Sequence, residues 1–159
     1  MRALFSNPVA AVGIVIVGIL VLAALFAPWL APYDPLGQNL DSRLMAASGG
    51  HPLGTDELGR DILSRMLWGA RTTLLIIVLV TVTAAPLGFV LGCLAGMLGG
   101  WADIALMRLT DIFLAFPRLI LALALAAALG AGLENAVLAI AVTAWPVYAR
   151  VARAETLSI

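Results

Sequence analysis

Two long apolar runs constrain this chain more than any other feature: "VAAVGIVIVGILVLAALFAPWL" from Val9 to Leu30 and "TTLLIIVLVTVTAAPLGFVLGCLAGML" from Thr72 to Leu98. A helix rises about 1.5 Å per residue, so about 20 apolar residues cross the roughly 30 Å hydrocarbon layer of a bilayer. Both runs are long enough. A third stretch, Asp103 to Leu129, also qualifies, and a shorter one, Asn135 to Ala149, completes the set. The spacing predicts an all-α, multi-pass transmembrane helical bundle. Composition agrees: 63% of the 159 residues are hydrophobic and 11% charged, against about 25% charged in a soluble domain. The first run exceeds the roughly 7–15 apolar residues of a cleavable signal, and Pro28 makes a poor cleavage junction. It reads as a retained span, with Trp29 and Tyr33 placed for the membrane interface.

The polar residues exclude several functions. Nine arginines balance nine acids with no lysine, for a formal net charge of zero. That argues against a nucleic-acid partner and removes the lysine of a phosphate-binding Walker A loop, whose glycine spacing "GMLGGW" also lacks. Cys93 is the single cysteine and His51 the single histidine, so neither an internal disulfide nor a cysteine or histidine metal cluster is expected. No serine falls inside a span, and Asp103 and Asp111 share one helix instead of facing each other from two. No catalytic group, cofactor or metal is expected, and the chain is read as a non-enzyme.

The most charged segment is "HPLGTDELGRDILSRMLWGARTTL", residues 51–74, at the end of a polar connection from Ala31 to Arg71. The first part of that connection, rich in Pro, Gly and Ser, reads as loop. From Thr55, taken as an N-cap with Asp56 and Glu57 in the first turn, the spacing predicts an amphipathic helix at the membrane surface. Leu58, Ile62, Leu63, Met66 and Leu67 form its apolar side. Arg60, Asp61, Ser64 and Arg65 form the other, with Asp61 and Arg65 set for an i,i+4 ion pair. Domain organisation follows: 1–71 holds the first span and this connection, and 72–159 holds the remaining spans. Arg2, Arg150 and Arg153 flank an even number of spans, which favours both ends on the cytoplasmic side. The four arginines of the connection weaken that preference.

Two further patterns fall in the spans. Ala84, Gly88, Gly92, Gly96 and Gly100 recur every four residues, drawing a smooth stripe on a helix. It is read as a seam for close helix approach, the alternative being glycine that is simply tolerated. Asp103, Arg108, Asp111 and Arg118 lie in or near the bilayer, where ionisable groups are costly. They read either as the wet end of a helix, with Arg108 and Asp111 paired at i,i+3, or as a transport pair. Pro117 allows a bend before Arg118.

Three blocks, "HPLGTDELGRDILSRMLWGARTTL", "LAGMLGGWADIALMRLTDIFLAFPRLILALAL" and "AWPVYARVARAETLSI", resemble the second, C-type permease subunit of dipeptide, oligopeptide and nickel ABC importers of prokaryotes. Gly54, Thr55, Asp56, Gly59, Arg60, Asp61, Ser64 and Arg65 fall on fixed letters of that family's first block. The resemblance implies a type I ABC importer permease fold of six spans, about four of them present, in the prokaryotic plasma (inner) membrane. It implies a second permease subunit, two ATP-binding subunits and an extracytoplasmic solute-binding protein as partners, together with membrane lipid. The 31–71 connection would face outward, near the binding protein. Tyr148, Arg150, Arg153 and Glu155 would lead into the loop that contacts the ATPase. The sequence stops at Ile159, before that loop's EAA motif, so it is expected to be a fragment or a truncated product. The competing reading is a self-contained secondary transporter coupling an ion through Arg108 and Asp111.

Overall fold

The computed structural model describes residues 8–158. Arg2 and Ser6, relevant to orientation, and Ile159 lie outside the described residues. The first helix, α1 (Pro8–Leu25), begins on a proline, which a first turn tolerates because that N–H has no intrahelical acceptor. It is apolar on every side and buries only Ala24, as suits a helix solvated by lipid. The chain bends at Phe26 (φ −89°, ψ 7°) and continues as the single turn α2 (Ala27–Leu30). Ala31 is extended because the ring of Pro32 disfavours helical backbone in the residue before it.

Between α2 and the next long helix, the only regular element among the described residues is a 3₁₀ turn, Leu40–Ser42, started by Asn39, whose side chain accepts from the Asp41 N–H at 3.2 Å. The surface helix predicted from Thr55 does not form. Residues 55–61 are a tight loop closed by an antiparallel bridge between Thr55 and Asp61, and helix α3 runs unbroken from Ile62 to Leu98. The reason is local. Gly54 and Gly59 adopt φ of +78° and +70°, which no α-helix accommodates. Asp61, not Thr55, caps the helix: its carboxylate accepts the Ser64 N–H at 2.7 Å, the cap-to-N3 geometry.

Gly99 and Gly100, both with positive φ, turn the chain into α4 (Gly100–Ala115). Pro117 then ends that helix, and α5 (Arg118–Leu129) departs at 87° to it. The third apolar stretch is therefore two limbs and not one straight span. The last helix, α6 (Leu133–Leu157), passes through Pro146 and extends well beyond the predicted Asn135–Ala149. Among the described residues, three helices, α1, α3 and α6, are long and apolar enough to cross a membrane, and the bent pair makes a fourth if it is one span.

The chain divides into two compact units, Met1–Leu75 and Ile76–Ile159. In the second, α6 packs on α4 and α5, and the core gathers Ala84, Ala141, Ala144, Trp145 and Ala149. Phe113 meets Trp145 edge-on, with ring centroids 5.4 Å apart, the arrangement aromatic quadrupoles favour. Small residues dominate because the helices approach closely, and α6 supplies most of the buried positions.

Candidate functional site

In the first unit the functional candidates form a polar lock beneath a strap of chain, residues 39–47. The Asn39 N–H donates to the Leu58 carbonyl at 3.2 Å, and the Leu44 N–H to the Asp56 carbonyl at 3.1 Å. Met45 is held on both sides, since its N–H donates to Thr55 Oγ1 at 2.9 Å and its carbonyl accepts the Thr55 N–H at 3.1 Å. The Thr55 hydroxyl in turn donates to the Ser42 carbonyl at 2.5 Å. Gly54 and Gly59 are required where the strap crosses: a Cβ on Gly54 would collide with the Met45 carbonyl oxygen, and one on Gly59 with that of Asn39.

Below the strap, Asp61 is 2% exposed and accepts from Ser64 N–H and Ser64 Oγ–H, both at 2.7 Å, with His51 Nδ1 at 3.0 Å. The Tyr33 N–H donates to Ser64 Oγ at 3.1 Å, and its ring stacks on His51 at 4.7 Å. This ties the exit of α2 to the first turn of α3. Burial alone would raise the Asp61 carboxyl, but the Ser64 and His51 hydrogen bonds outweigh it and hold it below the ordinary carboxylate range. Ser64, His51 and Asp61 are not a hydrolytic triad, because the serine donates to the aspartate and not to the imidazole. Asp56 gathers Arg60 (Nε at 2.8 Å), the Leu58 and Arg60 N–H groups (2.9 and 3.0 Å), and Arg65. Partial burial again opposes, yet these donors hold Asp56 at about 2. The expected Asp61–Arg65 pair is thus absent: Arg65 turns to Asp56, and Asp61 is committed to the cap.

In the second unit, Gly88, Gly92 and Gly96 lie directly on α6. A Cβ on Gly88 would strike the Trp145 carbonyl oxygen, one on Gly92 the Ala149 carbonyl oxygen, and one on Gly96 would lie 2.8 Å from Thr156 Cβ. Ala84 is buried in the same core. Gly100 is not part of this face; it lies past the end of α3, with nothing within 4 Å of an added methyl. The charges of α4 pair across helices with those of α6. Arg153 grips Asp103 with Nε and Nη2 at 2.5 and 2.6 Å, and Arg150 reaches Asp111 at 2.6 Å. The predicted Arg108–Asp111 pair does not form, because Asp111 is taken by α6. Tyr148 and Glu155 line a groove of about 620 Å³ along α3 and α6, with Phe89, Cys93 and Val151. Among the described residues, no three His, Cys, Asp or Glu side chains are arranged to hold a metal.

The lock of the first unit was not legible as such. Its one sequence signal is Asp61 followed by Ser64 after a glycine, which reads equally well as an N-cap. The α4–α6 ion pairs join residues 39 and 50 apart, beyond any local spacing rule.

A bundle of apolar helices, joined through glycine and held by interhelical ion pairs, defines a multi-span membrane component. Residues 1–47 match the N-terminal TM domain of oligopeptide transport permease C, and residues 88–159 match the binding-protein-dependent transport system inner membrane component. The chain is 45% identical over 154 residues to a probable D,D-dipeptide transport system permease protein of Escherichia coli (strain K12), covering 97% of this chain and 52% of that one. It is 47% identical over 152 residues to a di/tripeptide transport system permease protein of Pseudomonas aeruginosa, covering 92% and 50%. It is 41% identical over 146 residues to a nickel transport system permease protein of Escherichia coli (strain K12), covering 92% and 53%. The chain spans about half the length of these curated relatives. It belongs to the family of binding-protein-dependent transport system inner membrane components. None of these comparisons supports a self-contained secondary transporter, and the Arg108–Asp111 pair that reading needed is absent.

Proposed function

We propose that this chain is part of the permease of an ABC importer, forming with a second permease a path for peptides, nickel complexes or similar solutes. Separate ATPase subunits drive it, and an extracytoplasmic binding protein delivers the solute. The chain does no bond-making chemistry: its helices line a route and move. The lock around Asp61 fixes the outward connection, while Tyr148, Arg150, Arg153 and Glu155 lie toward the ATPase.

The observation that supports this reading best is the fastening of α4 to the C-terminal turns of α6 by Arg153–Asp103 and Arg150–Asp111. Displacement of those turns by an ATPase is passed to α4 through two charged links. The glycine face of α3 lets α6 lie against it without bulky side chains to interlock. A movement of α6 would therefore carry α4 with it.

The test is ATP-driven uptake in proteoliposomes containing the protein and its partner subunits. Asp103→Arg and Arg153→Asp should each depress uptake, and the double swap should restore part of it. Equal uptake in all four proteins would refute the coupling role.

A further inference from the structure

Every pass of the second unit is interrupted by a proline, and the interruptions lie at nearly one level. Gly88, Gly92 and Gly96 of α3 meet successively later residues of α6, namely Trp145, Ala149 and Thr156. The two helices therefore run side by side in the same direction, and Pro86 of α3 stands level with Pro146 of α6, itself fully buried. The returning pass breaks at Pro117. That break lies about 6 Å along the chain axis beyond Phe113, whose ring meets Trp145.

The two helical prolines also share a local sequence, "TAAP" at residues 83–86 and "TAWP" at residues 143–146. A proline has no N–H, and its ring crowds the carbonyl four residues back, here those of Val82 and Val142. In both helices the threonine three residues earlier turns its hydroxyl onto the preceding turn. Thr83 Oγ1 lies 2.8 Å from the Leu79 carbonyl oxygen and 3.1 Å from that of Val80, and Thr143 Oγ1 donates to the Ile140 carbonyl at 2.9 Å. Back-bonding of this kind itself bends a helix. Each helix thus lacks one backbone hydrogen bond where a threonine favours bending. Beside them is room to bend, the cavity of about 290 Å³ walled by Phe113, Phe116, Leu121 and Val142.

The two sides of this level are each tied together. Toward Leu98 and Leu157, the glycine face joins α3 to α6, and the Arg153–Asp103 and Arg150–Asp111 pairs join α4 to α6. On the other side, α5 packs against α6. We propose that Pro86, Pro117 and Pro146 form a hinge plane, about which the end of the unit carrying α4 tilts as one body against the end carrying α5. Trp145, fixed in the core, is the fulcrum. Resting on the permease reading above, an ATPase supplies the displacement; the hinge itself belongs to this chain. From Pro146 to Leu157 the lever is about 16 Å long. A change of bend of about 20° would therefore carry Leu157 through about 6 Å.

The test is distance measurement between paired spin labels in the assembled transporter in nanodiscs, in a Cys93→Ser background. Leu123→Cys with Leu157→Cys spans the plane, and Leu98→Cys with Leu157→Cys lies on one side of it; all three positions are exposed. Without nucleotide, the spanning pair should show the broader distance distribution. Pro86→Ala with Pro146→Ala restores the missing backbone bonds and should narrow that distribution to the width of the same-side pair. Thr83→Val with Thr143→Val, which keeps both prolines, should narrow it in part. Unchanged widths in both double variants overturn the hinge plane, and so does an equally broad Leu98–Leu157 distribution. With ATP added, the mean of the spanning pair should shift by about 6 Å. A broad wild-type distribution whose mean ignores ATP overturns the permease reading and leaves the hinge standing.

Discussion

Gly92→Ala adds one methyl group where α3 meets α6, and the structure sets its cost. That methyl carbon would lie 2.8 Å from Ala152 Cβ and 3.0 Å from the Ala149 carbonyl carbon, with the Ala149 oxygen closer still. Carbon pairs settle at about 3.5–4.0 Å, so the helices must separate by roughly 1 Å or the methyl must remain compressed. Overpacking of this kind costs about 1–3 kcal/mol. Alanine also returns about 1 kcal/mol of helix propensity relative to glycine, which obscures the effect in a single variant. Gly69 resolves this, because it lies in the same helix with nothing within 4 Å of an added methyl. Gly69→Ala should gain the propensity alone, so the gap between the two variants isolates the packing cost of about 1–3 kcal/mol. Thermal unfolding in detergent, followed by size-exclusion recovery, measures both. Gly92→Ala should melt below wild type or level with it, and Gly69→Ala above. If the two shift together, α6 does not lie on that glycine and the seam is wrong.

Three further outcomes are expected. A reporter at Gly49 should read outside and one at Ser158 inside; a cytoplasmic signal from Gly49 would reverse the orientation of the strap. Arg153→Gln and Asp103→Asn should destabilise the helix bundle non-additively, with the double variant little worse than either single one; simple addition would show that the ion pair contributes nothing. The strap should loosen in acid: Asp56 titrates near 2 in the folded chain against an ordinary 3.8. A depressed carboxyl stabilises above its unfolded value, and that contribution fades as pH falls from about 4 toward 2. Hydrogen exchange of residues 39–47 should rise in that window, and Asp56→Asn should shrink the pH dependence to what the likewise depressed Asp61 contributes; an unchanged profile in the variant would assign it elsewhere.

The spans were legible because lipid imposes a requirement on every residue of a crossing helix, and α1, α3 and α6 satisfy it in composition alone. Helical spacing misled where backbone conformation, not side-chain pattern, decided the outcome. Leu58, Ile62 and Met66 repeat as a helix would, but Gly59 with its positive φ breaks the turn between them. Charge pairing misled for a related reason. Asp61 and Asp111 each have an arginine at helical distance, yet Asp61 is taken by its own cap at Ser64, with His51 added by the tertiary fold, and Asp111 by Arg150 from another helix. The interval of four between glycines is visible in the sequence; which carbonyls lie on that face is not.

The right angle at Pro117 has a consequence for parity. With 16 residues in α4 and 12 in α5, the limbs are about 24 and 18 Å long at 1.5 Å per residue. Either one alone falls short of the roughly 30 Å hydrocarbon layer. Set at 87°, however, they form the legs of a near-right triangle whose hypotenuse is also about 30 Å. If the pair is one span, it crosses as two oblique limbs, inclined by roughly 37° and 53° to a bilayer normal drawn along that hypotenuse. The notch inside the corner is narrow, a cavity of about 290 Å³ walled by Phe113, Phe116, Leu121 and Val142. Such an oblique crossing would bring the count among the described residues to four, and an even count would return Ser158 to the side on which the first helix began. Straightening the corner would leave that count unchanged, whereas folding it into a hairpin would make the count odd and send the end of α6 to the opposite face.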